Sequence, residues 1–420
     1  MLDIKYIREH AEEITDNIQK RRSLPIDISA LLKKDSEYRG LMIELEQERA
    51  TKNALSKTKP TEEIKEQSRA CSVRIDALEQ QTQTLKKDID QLLLLIPNFT
   101  HADAPIGGED DFRVVEIRGT EPGFSFAPKD HETLFTEKGL LDFERGAKVV
   151  GSKFYYQKNA LVQLNHALLS YGIDIVKKHG FDIFETPDLA KEEILTGAGF
   201  NPRGEEDQIY CVENTGLAMI GTAEITMLGY HANEVLDLST GPKKYAALSH
   251  CYRKEAGAYG RTSKGLYRVH QFTKLEMFIF CTPEQSEALH QELLAIEKEI
   301  CDGLGLHYRI IDIASGDLGA PAYRKYDIEG WMTMKGTDKQ TGDFGEITST
   351  SNCLDYQARR LNIKYTAASQ KNEFVHTLNG TAIVLSRFPI VIAEQYQEAD
   401  GRIRIPQALR PYMGNKEYID

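Results

Sequence analysis

Between Ile64 and Ile96 apolar or small residues return every seven positions, in two registers. One holds Ile64, Cys71, Ala77 or Leu78, Leu85 and Leu92; the other holds Ile75, Thr82, Ile89 and Ile96. Registers offset by three and four residues make the a/d seam of a coiled coil, because a helix brings them onto one stripe. A weaker copy precedes it, with Leu31, Tyr38, Leu45 and Lys52 in one register and Leu41 or Met42 and Leu55 near the other. The stretch SKTKPTEE between them breaks the helix. Pro60 stops the first one, and Thr61 or Pro60 opens the next, with Glu62 and Glu63 in its first turn. Two helices of about 30 residues at about 1.5 Å per residue, folded back antiparallel, give an arm about 45 Å long. Such an arm is too thin to hold a pocket, so its use is contact.

The 420-residue chain carries a formal charge of -12, which argues against simple affinity for nucleic acid. The charge is uneven: residues 1 to 100 hold 17 basic and 18 acidic side chains, leaving -11 for the rest. Residues 49 to 74 carry Arg49, Lys52, Lys57, Lys59, Lys65, Arg69 and Arg74 against Glu62, Glu63 and Glu66. A dimerisation coiled coil is one reading of the arm; the cationic tip favours a polyanion. No run approaches the roughly 20 apolar residues of a membrane span, and MLDIKYIREHAEE lacks the apolar region of a signal peptide. A cytoplasmic protein is expected. Six dispersed cysteines without a C-x-x-C pair predict reduced thiols and no structural zinc.

IPNFTHADAPIGGED reads as the end of the arm. The expected division is an N-terminal domain over 1–105 with the arm at about 30–97, a linker over 106–130, and a catalytic domain over 131–420. In the last part, strand runs lie at hairpin spacing among helices such as HALLSYGIDIVKKHG and EQSEALHQELLAIEKEICDGLG. An antiparallel sheet of the α+β kind is predicted.

Within it, YRVHQF and KLEMFIF alternate like half-buried strands yet carry Arg268 and Glu276, downstream of Arg253, Lys254 and Glu255. Charges at that spacing face water or line a site. Neither a G-x-x-x-x-G-K-[ST] loop nor a strand-G-x-G-x-x-G-helix unit is present, so a bound nucleotide has to be held mainly by side chains. Arginine suits that task through its planar fork.

The arm, YRKEAG with RVHQFTKLE, GEITSTSNCLDYQARR, and NGTAIVLSRFPIVIAEQYQ with LRPYMG together resemble a seryl-tRNA synthetase of the bacterial type, over essentially the whole chain. The resemblance implies a class II synthetase, an antiparallel-sheet catalytic domain joined to a tRNA-binding arm. It implies that Arg253 grips the ATP α-phosphate, Glu255 meets the adenine amino group and Phe272 stacks on the ring. Arg387 closes from the other side and Arg268 adds charge; Lys254, Val269, Ile347 and Thr348 complete the ATP set. Glu346 and Ser349 are the implied Mg²⁺ ligands, oxygen donors suited to a hard cation. Arg253, Glu346 and Arg387 form the catalytic set. For L-serine, Glu276 and Thr381 are the candidates for the hydroxyl, Thr222, Ala223 and Glu224 for the α-ammonium, with Arg253 sharing the carboxylate. Arg49, Lys52, Lys57, Arg69 and Arg74 are the candidates for tRNA(Ser), with tRNA(Sec) open as a second acceptor, and a homodimer is implied. Threonine at 381 stands where many members have serine, and Pro389 lies just inside the last helix; both are tolerable. Two other readings remain, a paralogue charging a carrier protein and a non-catalytic RNA-binding regulator. The long arm argues against the first and the matching ATP contacts against the second.

Overall fold

The computed structural model describes residues 1–22, 26–200, 208–255, 264–337 and 339–420. Contacts divide the chain into two compact units, Met1–Phe99 and Thr100–Asp420.

The first unit opens with helices Ile4–Glu9 and Ala11–Lys20 and continues with α1 (Ile28–Ser56) and α2 (Glu62–Leu95). The Asp27 side chain caps α1 by accepting Ala30 N–H, and the Thr61 hydroxyl caps α2 by accepting Ile64 N–H. α1 ends before Pro60 is reached, in a turn where Lys57 N–H returns to the Ala54 carbonyl, so the proline is not the stop. The heptad stripe is the buried one: Cys71, Ile75, Thr82 and Ile89 of α2, with Leu31 and Leu45 of α1. Asp35 shares the buried side of α1, and Arg8 (3.3 Å) and Arg39 (3.1 Å) compensate it, as a buried carboxylate requires. Lys34–Asp88, Arg49–Glu79 and Arg74–Glu48 pair across the two helices at 2.7, 2.7 and 3.0 Å. These pairs are largely exposed, worth about 0–1 kcal/mol each, and act more on register than on stability.

The second unit is built on one eight-stranded sheet. Its strands are β1 (Arg113–Arg118), β2 (Asp182–Glu185), β3 (Lys243–Tyr252), β4 (Gln271–Cys281), β5 (Tyr308–Asp312), β6 (Arg324–Met332), β7 (Asp343–Asn352) and β8 (His376–Val384). They lie in the order β1-β5-β6-β7-β8-β4-β3-β2. Neighbours are antiparallel except β2 and β3, which are parallel. The segment 106–130, expected as a linker, contributes β1, whose Arg113 lies opposite Asp312 of β5.

Helices α3 (Ala160–Lys178), α5 (Ser286–Gly303) and α6 (Phe388–Gln395) bury their apolar sides in one core with Leu275, Met277, Ile279 and Cys281 of β4. The opposite side of β4 sends Phe278 and Phe280 into a second cluster with α4 (Ala223–Tyr230). Period 2 puts Phe272, Lys274 and Glu276 on that same side. β4 is thus covered on both faces rather than half wet. Of the two expected strands only KLEMFIF is one: Gly265–Tyr267 form a single 3-10 turn, and the strand starts at Gln271.

Gly172 lets α3 lie against the sheet at the height of the site strands. A Cβ there would stand 2.6 Å from Ile383 Cγ1 and 3.3 Å from Leu275 Cδ2. Gly172→Val is expected to cost about 1–3 kcal/mol through overpacking, read as a lower Tm. An unchanged Tm would show slack between helix and sheet.

Candidate active site

β4 and β8 slip register between Leu275 and Glu276, so that Glu276 comes to face Thr381. The bulge aims the pair into a cavity of about 400 Å³. Glu276 is buried, and its carboxylate is spoken for. Oε1 accepts from Lys274 Nζ at 2.8 Å, and Oε2 accepts from the Thr222 hydroxyl and, at 3.3 Å, from Glu224 N–H. Lys274 Nζ also donates to Thr222 Oγ1 at 2.7 Å. Such saturation is what holds an ion pair away from water.

Glu224, in the first turn of α4, turns inward instead of capping in solvent. Its Oε1 accepts from Asn379 Nδ2 (3.0 Å) and from Gln357 Nε2. Gln357 is itself fixed by the Ala198 carbonyl and the Thr377 hydroxyl. Burial, together with the charge of Glu276, pushes the Glu224 carboxyl up to about 7, against the opposing pull of Gln357, Lys274 and Asn379. This end of the cavity holds two carboxylates and one ammonium, and it is short of one cation.

The other end is cationic. Arg253 places its guanidinium 5.2 Å from the Phe272 ring, and its Nε donates to the Gly221 carbonyl at 3.3 Å. Arg268 pairs with Glu255 at 3.3 Å. Arg387, at the start of α6, lies 3.8 Å over the Tyr267 ring and donates to the Glu346 carbonyl. The Glu346 side chain opens onto the cavity while protein packs closely around it. That crowding opposes ionisation, but Arg387, Lys325, Arg253 and Arg268 outweigh it and hold the carboxyl below its usual range. Behind it Asp327 lies across the sheet from Ser349. Its Oδ1 is buried with no hydrogen-bond partner among the described residues, and burial pushes this carboxyl up to about 7.

All the residues proposed from sequence for ATP and serine line this cavity except Lys254 and Ala223. The Lys254 ammonium lies 6.0 Å over the Tyr210 ring, and Ala223 is buried at the start of α4. The loop between Arg253 and Arg268 falls in part outside the described residues. Sequence reasoning missed Lys274, Lys325, Tyr267 and Asn379, which also line the cavity, and the fully buried Glu297 beneath it. Glu297 accepts Thr381 N–H at 2.9 Å and lies 2.9 Å from the Thr348 hydroxyl, and burial raises its carboxyl well above the usual range. A signal for Glu297 existed. Leu293, Leu294, Ile300 and Cys301, three and four residues to either side, are all buried, so helical period places this acid on the core side.

On the arm, Arg49 and Arg74 are engaged with Glu79 and Glu48. No ion pair joins Lys52, Lys57 or Arg69 among the described residues.

An antiparallel sheet with arginines at one end of its cavity and carboxylates at the other defines a class II aminoacyl-tRNA synthetase, and the class II core domain shared by the glycine, histidine, proline, serine and threonine enzymes matches residues 210–396. The seryl-tRNA synthetase N-terminal domain matches residues 1–100. Serine--tRNA ligases of Treponema denticola and Dictyoglomus turgidum are 49% and 47% identical, over 99% of this chain and 99% of each relative. The seryl-tRNA synthetase of Pyrococcus horikoshii, solved in complex with ATP, superposes with a TM-score of 0.92 at 37% identity, covering 100% of this chain and 99% of its own. The chain belongs to the seryl-tRNA synthetase family.

The missing cation generates a prediction about pH. With its carboxyl near 7, Glu224 is mostly ionised at pH 8 and mostly protonated at pH 6, and only the ionised form attracts an ammonium. Serine affinity is expected to weaken about tenfold from pH 8 to pH 6, with proton release on binding. Calorimetry in buffers of different ionisation enthalpy measures both, and Glu224→Gln should flatten the profile. Affinity independent of pH in the parent protein would contradict this charge count.

Proposed function

We propose that this cavity activates L-serine with ATP to seryl-adenylate and then passes the seryl group to the 3′ end of tRNA(Ser). The observation that carries the reading is the polarity of the cavity: Arg253, Arg268 and Arg387 at one end, Glu224 and Glu276 at the other. A triphosphate fits the first and an amino-acid ammonium the second.

In this reading Phe272 and Arg387 hold the adenine between them and Glu255 meets its amino group. Arg253, whose Nε is held by the Gly221 carbonyl one residue before Thr222, is the arginine of that end that can hold both the serine carboxylate and the α-phosphate. The serine carboxylate attacks the α-phosphorus and pyrophosphate leaves. The 3′-terminal ribose hydroxyl then attacks the seryl carbonyl and AMP leaves. No side chain becomes covalent. The rate comes from positioning and from cations opposing charge that grows at phosphorus.

Glu224, with Thr222, receives the serine ammonium. The hydroxyl meets Glu276 and Thr381, and a site whose buried groups are built for a hydroxyl rejects alanine by leaving those groups unpaired. The donor set at Glu346, Ser349 and the unpartnered Asp327 Oδ1 suits Mg²⁺, a hard cation that would neutralise phosphate charge there. Four surrounding cations disfavour the ion alone, so it belongs with the triphosphate. A homodimer fits the family and remains part of this proposal. No helix among the described residues is long and apolar enough to cross a membrane; a cytoplasmic site of action is part of this proposal.

Pyrophosphate exchange into ATP, run with all twenty amino acids, tests the assignment directly. Exchange with serine is expected; exchange with glycine or alanine instead would sink it. Arg253→Ala should slow serine-dependent exchange at saturating ATP and serine, and a rate within about threefold of the parent would remove its role at the α-phosphate.

The arm has a separate test. Replacing residues 30 to 97 with a short Gly-Ser bridge removes none of the cavity residues, so adenylate formation should survive while charging of tRNA falls steeply. In the intact protein, tRNA affinity should fall with salt, and neutralising Lys52, Lys57 and Arg69 should flatten that slope. Arg49 and Arg74 are poorer choices because Glu79 and Glu48 would lose their partners. Parental charging by the arm-deleted protein would withdraw the tRNA role.

A further inference from the structure

His131 and Glu394 are both fully buried, and neither belongs to the cavity lining. Glu394 Oε1 lies 2.6 Å from His131 Nδ1 and accepts His131 N–H at 2.8 Å, while Oε2 accepts Met334 N–H at 3.0 Å. On the far side of the ring, Leu266 N–H donates to Nε2 at 3.0 Å. A backbone N–H can only donate. Nε2 therefore offers its lone pair, and the ring proton sits on Nδ1, facing the carboxylate. The imidazole is a spacer of fixed width between the segment 264–268 and helix α6.

The fit is close. Gly265 has φ +55°, and a Cβ there would lie 2.2 Å from His131 Nε2, so both the conformation and the space call for glycine. A second tie lies just outside, where Lys264 pairs with Asp130 at 2.8 Å.

Both attached segments carry residues of the nucleotide end. Tyr267 and Arg268 follow Leu266 directly, and Arg387 stands at the start of the helix that ends just beyond Glu394. The stacking of Arg387 on Tyr267 at 3.8 Å depends on how far apart these two segments are held. We propose that His131 is a positioning residue for the nucleotide: bridging Glu394 and Leu266, it sets where Arg387 and Tyr267–Arg268 stand relative to each other, and so the shape of the nucleotide end of the cavity. The inference rests on the ATP reading of that end of the cavity.

The test separates the two. His131→Asn keeps a donor for Glu394 but does not reach Leu266; His131→Gln reaches Leu266. In pyrophosphate exchange, His131→Asn is expected to raise the ATP KM about tenfold with the serine KM within about twofold, and His131→Gln to recover part of the loss. Arg387→Ala is the reference. If it raises the ATP KM while His131→Asn leaves it unchanged, or moves both KM values together, the positioning role is overturned and the ATP reading stands. If Arg387→Ala leaves the ATP KM unchanged, both fall. Should His131→Asn fail to fold, Lys264→Met at the exposed tie carries the test. A rise of about threefold in ATP KM alone supports the proposal, and no rise overturns it.

Discussion

A lysine and a glutamate stand two residues apart on a buried side of a central strand, and the site depends on their being satisfied there. Removing one partner of such a pair typically costs about 3–5 kcal/mol, because the other charge is left buried alone. Lys274 and Glu276 avoid that cost through Thr222 and Glu224 N–H, which fixes where α4 begins relative to β4. The register slip that sets Glu276 opposite Thr381 orients the same carboxylate toward the cavity. Sheet, helix and substrate end are thus determined together, and a change in any of them leaves a charge unpaired.

The same electrostatics divides the cavity. Four cations hold Glu346 ionised at one end, whereas burial and the charge of Glu276 keep a proton near Glu224 at the other. In the proposed reading, two acids of one residue type thereby take different roles, one for phosphate-bound cations and one for an ammonium. Glu297 sits under both Thr381 and Thr348 and ties β8 to β7, the strand that carries Glu346, so the two ends cannot drift independently.

Much of this was legible in the sequence for a physical reason. The arm shows because its seam repeats: the predicted positions from Ile64 to Ile96 are buried or half-buried, with Leu78 rather than the exposed Ala77 at the position left open between them. The residues proposed for ATP and serine show through family motifs, and all but Lys254 and Ala223 converge. The failures share a cause, which is contact between residues distant in sequence. KLEMFIF alternates as a half-wet strand would, and only the helices on one face and α4 on the other reveal that it is covered twice. YRVHQF has the same alternation, but a turn held by His131 bends it. Lys274 looks like the solvent-facing member of that alternation until Thr222 is brought to it from 52 residues away.

Selectivity for serine over alanine tests the central claim, that this buried charge network reads the amino acid. The quantity to measure is the ratio of kcat/KM for the two amino acids in pyrophosphate exchange, in Lys274→Met with Glu276 intact. The account predicts that the ratio falls at least about tenfold while the ATP KM stays within about twofold, because Glu276 and Thr222 lose their common donor. A folded Lys274→Met protein that keeps the parental ratio would contradict it.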